Sequence, residues 1–190
     1  LGGVRAGGHA AALAIRELSA SIEQGVRDDT MLRTAILNGL EAANGRVQSV
    51  GIGAATTLAV VEVVDDTVRP YHVGDSMILV VGQRGKIKLQ TTSHSPVGFA
   101  VEAGLLDETE AMHHEDRHLV SNVIGSPEMT IEIGTSLRLA PRDTVLLASD
   151  GLFDNLYIQE VVERIRKGPL DRAVERLATD SRQRMLHPEP

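Results

Sequence analysis

Apolar residues recur at helical spacing near the start of the chain, at Ala11, Ile15, Leu18 and Ile22, and again at Leu32, Ala35, Ile36, Gly39, Leu40 and Ala43. Steps of three and four residues put each set on one helix face, so two amphipathic helices are expected, joined through residues 25–29. After residue 53 the period changes. Runs over 57–64, 68–73, 77–81 and 86–91 are rich in β-branched residues, with short turns between them at Asp65-Asp66, Gly74-Asp75-Ser76 and Gln83-Arg84-Gly85. Such connections join antiparallel neighbours, because a parallel crossover needs about a dozen residues. The expectation is a β-meander, with Pro70 confined to an edge or a bulge because it lacks the N–H a ladder requires.

From 92 to 126 the pattern loosens into Ser93-His94-Ser95-Pro96, a Gly-punctuated stretch to Gly104 and a short acidic helix over 107–113. A connection this long inside a compact unit is usually functional or mobile. Alternating runs at 129–133 and 136–140 predict two more strands. The turn Pro141-Arg142-Asp143 then introduces the apolar run Val145 to Ala148, which reads as a buried strand. Helices over 160–167 and 171–185 close the chain, with apolar positions at Val161, Val162, Ile165, Val174, Leu177 and Ala178. The order of elements is an α+β layout in which two antiparallel sheets lie between helical layers.

Composition narrows the partners. The 190 residues suffice for one domain that buries about two-thirds of its unfolded surface. With no cysteine, disulfides, thiolate zinc sites and cysteine nucleophiles are excluded. A net charge of −7 without a long basic run disfavours nucleic acid, and the absence of Trp removes a base-stacking platform. No apolar run reaches the ~18 residues of a membrane span. A soluble, cytoplasmic monomer is therefore expected, with no nucleic-acid and no membrane partner. The chain opens on Leu1-Gly2-Gly3 without an initiator Met and is expected to be cut from a longer one.

The strand at Val145 to Ala148 ends in Ser149-Asp150-Gly151, with Asp154 one helical turn on. A carboxylate delivered at the end of a buried strand must be paired, hydrogen-bonded or bound to a metal, because an isolated buried charge is too costly. Asp150 is thus either a metal ligand or the cap of a following helix. Other patterns are weaker. Gly2 to Gly8 lacks the Lys-Ser/Thr ending of a phosphate-binding loop. His114-Glu115-Asp116-Arg117-His118 matches the zinc-protease pattern, but its charged inner positions suit a solvated segment. Ser93-His94-Ser95 has no nucleophile elbow around it. A carboxylate site for Mg²⁺ or Mn²⁺, hard cations that take oxygen ligands, remains.

The segment Val145 to Asn155, V-L-L-A-S-D-G-L-F-D-N, resembles a motif of the metal-dependent protein phosphatases of the PP2C family. So do His72-Val73-Gly74-Asp75-Ser76, Gly53-Ala54-Ala55-Thr56-Thr57, His94-Ser95-Pro96 and the opening Leu1-Gly2-Gly3, all in the family's order. The resemblance implies a β-sandwich of two antiparallel sheets flanked by helical layers, with residues 93–126 as a flap. It implies a two-metal centre for Mg²⁺ or Mn²⁺, and hydrolysis of phosphoserine or phosphothreonine in phosphorylated protein substrates, in signalling, without a covalent phosphoenzyme. By position Asp150 matches a metal-binding Asp of the family and is the one metal ligand assigned. Asp75 matches a turn-structuring Asp, and Asp154 a capping or hydrogen-bonding partner.

The departures set a second expectation. Relative to the family, 1–190 lacks the first strands, with a bridging Asp and a phosphate-gripping Arg, and the last strand, with a further Asp. Ser93 stands where many members carry an Asp for a third metal, and Leu1 where some carry a His. No catalytic side chain is assigned and the substrate-binding residues are open. The fragment itself is expected to be short of ligands. The alternative is a non-catalytic phosphatase-like domain that binds a phosphoprotein or signalling partner.

Overall fold

The computed structural model describes residues 6–51 and 53–187; the expectations placed on Leu1, Gly2 and Gly3 lie outside them. Helices α1 (Gly7–Arg27) and α2 (Leu32–Gln48) form the first layer, as their periodicity predicts. Their apolar faces pack on each other and on Leu58, Tyr71 and Val73 of strands β1 (Leu58–Val64) and β2 (Thr67–Val73). Strands β3 (Met77–Val81), β4 (Ile87–Gln90) and β7 (Thr144–Ala148) make a second sheet in the order β4-β3-β7. Its outer face, through Leu79 and Val81, meets α6 (Ile158–Ile165) and α7 (Leu170–Leu186). Ile78 and Val80, fully buried on the opposite face of β3, fill the space between the sheets together with Val68. The predicted two-sheet α+β sandwich between helical layers is the observed architecture.

The meander is a correction. β1–β2 and β3–β4 are antiparallel hairpins, yet β2 and β3 do not pair: they belong to different sheets. Gly74-Asp75-Ser76 is a corner between the layers rather than a hairpin turn. Turn length alone cannot separate the two, because both need only a tight reversal of direction.

Pro70 is a second correction. β2 is the central strand, paired with β1 on one side and with β5 (Glu132–Ile133) and β6 (Leu137–Arg138) on the other. Pro70 lies opposite the break between β5 and β6, where its carbonyl accepts from Gly134 N at 2.9 Å. Its missing N–H therefore faces an interruption in the ladder formed by the neighbouring strands, which a central proline tolerates as it would an edge.

The loose stretch contains one helix that periodicity missed, α3 (Pro96–Glu102), started by Pro96 at its first turn and capped by Ser95 Oγ accepting from Gly98 N at 2.9 Å. The acidic helix α4 (Glu108–Met112) is as expected, closed by a capping box between Asp107 and Glu110.

Close approach of α1 and α2 depends on Gly39, where an added Cβ would stand 2.8 Å from Leu18 Cδ1 and 3.1 Å from Leu18 Cα. Gly39→Val is expected to lower stability by about 1–3 kcal/mol through overpacking, measured by urea unfolding; an unchanged midpoint would mean the helices can part without cost.

Candidate metal centre

Two carboxylates reach one end of the second sheet by register. β3 and β7 are antiparallel with Met77 opposite Ala148. Asp75, two residues before Met77, and Asp150, two residues after Ala148, therefore project past the same end of the ladder. Asp150 opens the short helix α5 (Asp150–Phe153), its Oδ1 accepting from Gly151 N at 2.8 Å. One turn later the main chain of Asp154 donates to Asp150 O at 2.8 Å, which brings a third carboxylate to the same place.

The corner that holds Asp75 is constrained on both flanks. Gly74 has φ +105, and a Cβ there would lie 2.3 Å from Thr57 Cγ2, so only glycine fits. Thr57 Oγ1 and Ser76 Oγ stand 2.9 Å apart in a hydrogen bond that closes the turn against β1.

The three aspartates face a cleft of about 320 Å³ beneath the flap segment. Ser93 and Arg117 share its lining, and Val97, Val101, Met112, Phe153 and Tyr157 make an apolar wall beside the charged end. Arg117 is half-buried, and its Nε has no hydrogen-bond partner. It is the one cationic side chain of that lining among the described residues. In the sequence it is only an inner position of His114-Glu115-Asp116-Arg117-His118. Nothing in local pattern marks it, since the flap brings it to the aspartates only on folding.

Burial, and then the charge of Asp150, hold the Asp75 carboxyl above the usual range. The same two causes, in that order, push Asp154 up to about 6, against smaller opposing effects of His118 and Arg117. His118 Nδ1 lies 3.5 Å from Asp154 Oδ2. Asp75 and Asp154, raised by burial and by the charge of Asp150, mark a site short of positive charge, and the oxygen-only donors fit a hard divalent cation such as Mg²⁺ or Mn²⁺. The residues present fit that group.

Two rival patterns dissolve in three dimensions. His114, Glu115 and His118 lie in turns after α4 rather than on a helix, so the two histidines do not share a helical face. The serines at 93 and 95 bond to each other at 2.9 Å, while the His94 ring turns to Gly74 N, Asn122 and Glu132. Neither serine is paired with a base.

Because Asp154 is folded with a pKa of about 6, above the ordinary 3.8, the native state binds the extra proton. Its stabilising effect is complete below the unfolded value and is lost as pH rises through about 6. In metal-free protein the Asp154 carboxyl is expected to titrate near pH 6 by carbon NMR, and Asp150→Asn should move the midpoint down. A midpoint at the ordinary value in both proteins would show that the charges do not meet.

Comparison with known proteins places this geometry. Residues 3–187 match the family model of protein phosphatase 2C. Protein phosphatase PhpP of Streptococcus pneumoniae serotype 2 is 31% identical over 169 residues, 85% of this chain and 68% of its own length. The solved S. agalactiae serine/threonine phosphatase is 28% identical, with a TM-score of 0.78 over 96% of this chain and 78% of that one. The catalytic domain of PstP in complex with two manganese ions, 24% identical, shares the fold at a TM-score of 0.72, over 93% of this chain and 77% of its own. With a family match over nearly its whole length, the chain belongs to the protein phosphatase 2C family.

Proposed function

We propose that the cleft hydrolyses phosphoserine and phosphothreonine in proteins, with Asp150 as a ligand of a divalent cation and Asp75 beside it. The observation that carries this reading is the convergence of Asp75, Asp150 and Asp154 with Arg117 under one flap. When bound, the cation supplies polarisation of a phosphoryl oxygen and a lowered pKa for water. The reaction forms a bond from water oxygen to phosphorus as the bond to the serine or threonine oxygen breaks, and that oxygen takes up a proton. Arg117 lines the cleft with a guanidinium group that can donate to an anionic phosphoryl oxygen, a charge-assisted contact. The apolar wall from Val97 to Tyr157 suits the side chain that carries the phosphate and limits water around it.

The family and its named relatives favour hydrolysis over the non-catalytic alternative. Mg²⁺ or Mn²⁺ serves equally by ligand chemistry, and the PstP complex makes manganese, at two ions per site, the first to test. We read 1–190 as one phosphatase domain with 93–126 as its flap, acting as a cytoplasmic monomer. Among the described residues no helix is long and apolar enough to cross a membrane.

Asp150→Asn is expected to reduce Mn²⁺-dependent hydrolysis of a phosphothreonine peptide by at least about 100-fold with the fold kept, since even residues behind a ligand cost about 10–100-fold. Full activity in that variant would remove Asp150 from the site. Arg117→Ala should raise KM by about tenfold, the scale of one hydrogen bond to a charged group, with a smaller change in kcat. A change in kcat alone would assign Arg117 to the transition state instead.

A further inference from the structure

Beside the Gly74–Asp75 corner lies a cluster of two buried histidines and a half-exposed glutamate that the proposed chemistry does not use. His72, His94 and Glu132 bring ligand-type atoms within 4.8 Å of one another, and the His72 and His94 rings stack with centroids 4.3 Å apart. The protons decide what this cluster is. Asn122 is oriented by Thr130, whose N–H donates to Oδ1 at 3.0 Å and whose carbonyl accepts from Nδ2 at 2.7 Å. The same Nδ2 must therefore donate to His94 Nδ1 at 2.8 Å, and Gly74 N–H donates to that nitrogen at 3.1 Å. Nδ1 is an acceptor twice over, so the proton of the neutral ring sits on Nε2 and is donated to Glu132 Oε2 at 2.9 Å. A metal on Nε2 would need an imidazolate or the loss of two hydrogen bonds. The cluster is a clamp, not a cation site.

What it clamps is the corner of the active cleft and the base of the flap. The His94 main chain also donates to Gly74 O at 3.1 Å, so both backbone groups of Gly74, the residue before Asp75, pair with one histidine. From the far end of the flap, Ser121 donates to His94 O through both N–H and Oγ at 2.9 Å. His72 supports the ring from behind, its Nε2 donating to Thr92 O at 2.9 Å. Burial keeps His72 below its ordinary pKa.

We infer that His94 is a positioning residue that fixes the Gly74–Asp75 corner through its Nδ1 acceptor and seats both ends of the flap on that corner. The consequence for cation affinity rests on the reading in which Asp150 holds a divalent cation beside Asp75.

Two substitutions separate position from mere packing. Asn at 94 keeps an acceptor oxygen where Nδ1 stands; Gln reaches toward Glu132 but leaves Gly74 N–H without a partner. In metal-free protein, hydrogen exchange at Gly74 should stay near wild type in His94→Asn and rise at least about tenfold in His94→Gln, as expected for a buried donor left unsatisfied. By calorimetry, Mn²⁺ should bind His94→Gln about tenfold or more weakly and His94→Asn within about threefold of wild type. Equal Gly74 exchange and equal Mn²⁺ affinity in two folded variants would overturn the inference. If His94→Gln does not fold, Glu132→Ala, at a half-exposed side chain, releases Nε2 and should speed Gly74 exchange; no change there would overturn it as well. Wild-type protein that binds no Mn²⁺ would sink the cation reading, while the exchange result still decides the clamp.

Discussion

The structure depends on one corner. Between Val73 and Met77 the chain leaves the sheet that packs on α1 and α2 and enters the one that packs on α6 and α7. Three residues make that passage, and each is constrained: Gly74 by a left-handed φ and the methyl of Thr57, Ser76 by its bond to Thr57, and Asp75 by lying between them. A corner built this tightly cannot relax when charge gathers at it. That stiffness lets Asp75 stand near Asp150 and Asp154 despite the burial and the charge of Asp150 that raise its pKa.

The two apolar clusters explain why the tension is tolerated. One ties α1 and α2 to β1 and β2, the other ties α6 and α7 to β3 and β7, and the aspartates sit at the sheet end beside the second. Burial of Leu79, Val81, Val161 and Leu177 holds α6 and α7 against the sheet, and a cluster of fully buried aliphatic side chains, each worth about 1.5–3 kcal/mol by area, outweighs a few unfavourable carboxylate contacts. In this chain aliphatic layers thus stabilise the fold while the sheet end is left electrostatically incomplete.

The flap is joined to this frame by few, directed contacts. Ser121 and His94 close its ends, and His118 and Arg117 reach from it toward Asp154 and the cleft. Its helices α3 and α4 are short and bury little, since Val97 is the one buried residue of the pair. Hydrogen bonds at its two ends and the burial of Ile124 near the second therefore set its position, and local opening of the helical part between them is the motion that such a segment favours.

The sequence by itself determined the layers. Helical periodicity at Leu18, Ile36 and Leu40, β-branched runs from Leu58 to Gln90, and an apolar strand ending at Asp150 are local patterns, and local patterns fix which face of an element seeks a core. It also carried the family, through motifs in order, and Asp150 as a candidate ligand. Only the tertiary structure decided which strands share a sheet, because a hairpin and a corner can use the same three residues, and why Pro70 can occupy a central strand. Arg117, Asp154 and His94 acquired their places the same way. Their roles come from neighbours distant in sequence, Asp154 beside His118 at 36 positions and His94 on Gly74 at 20, and no short window along the chain contains both partners of such a contact.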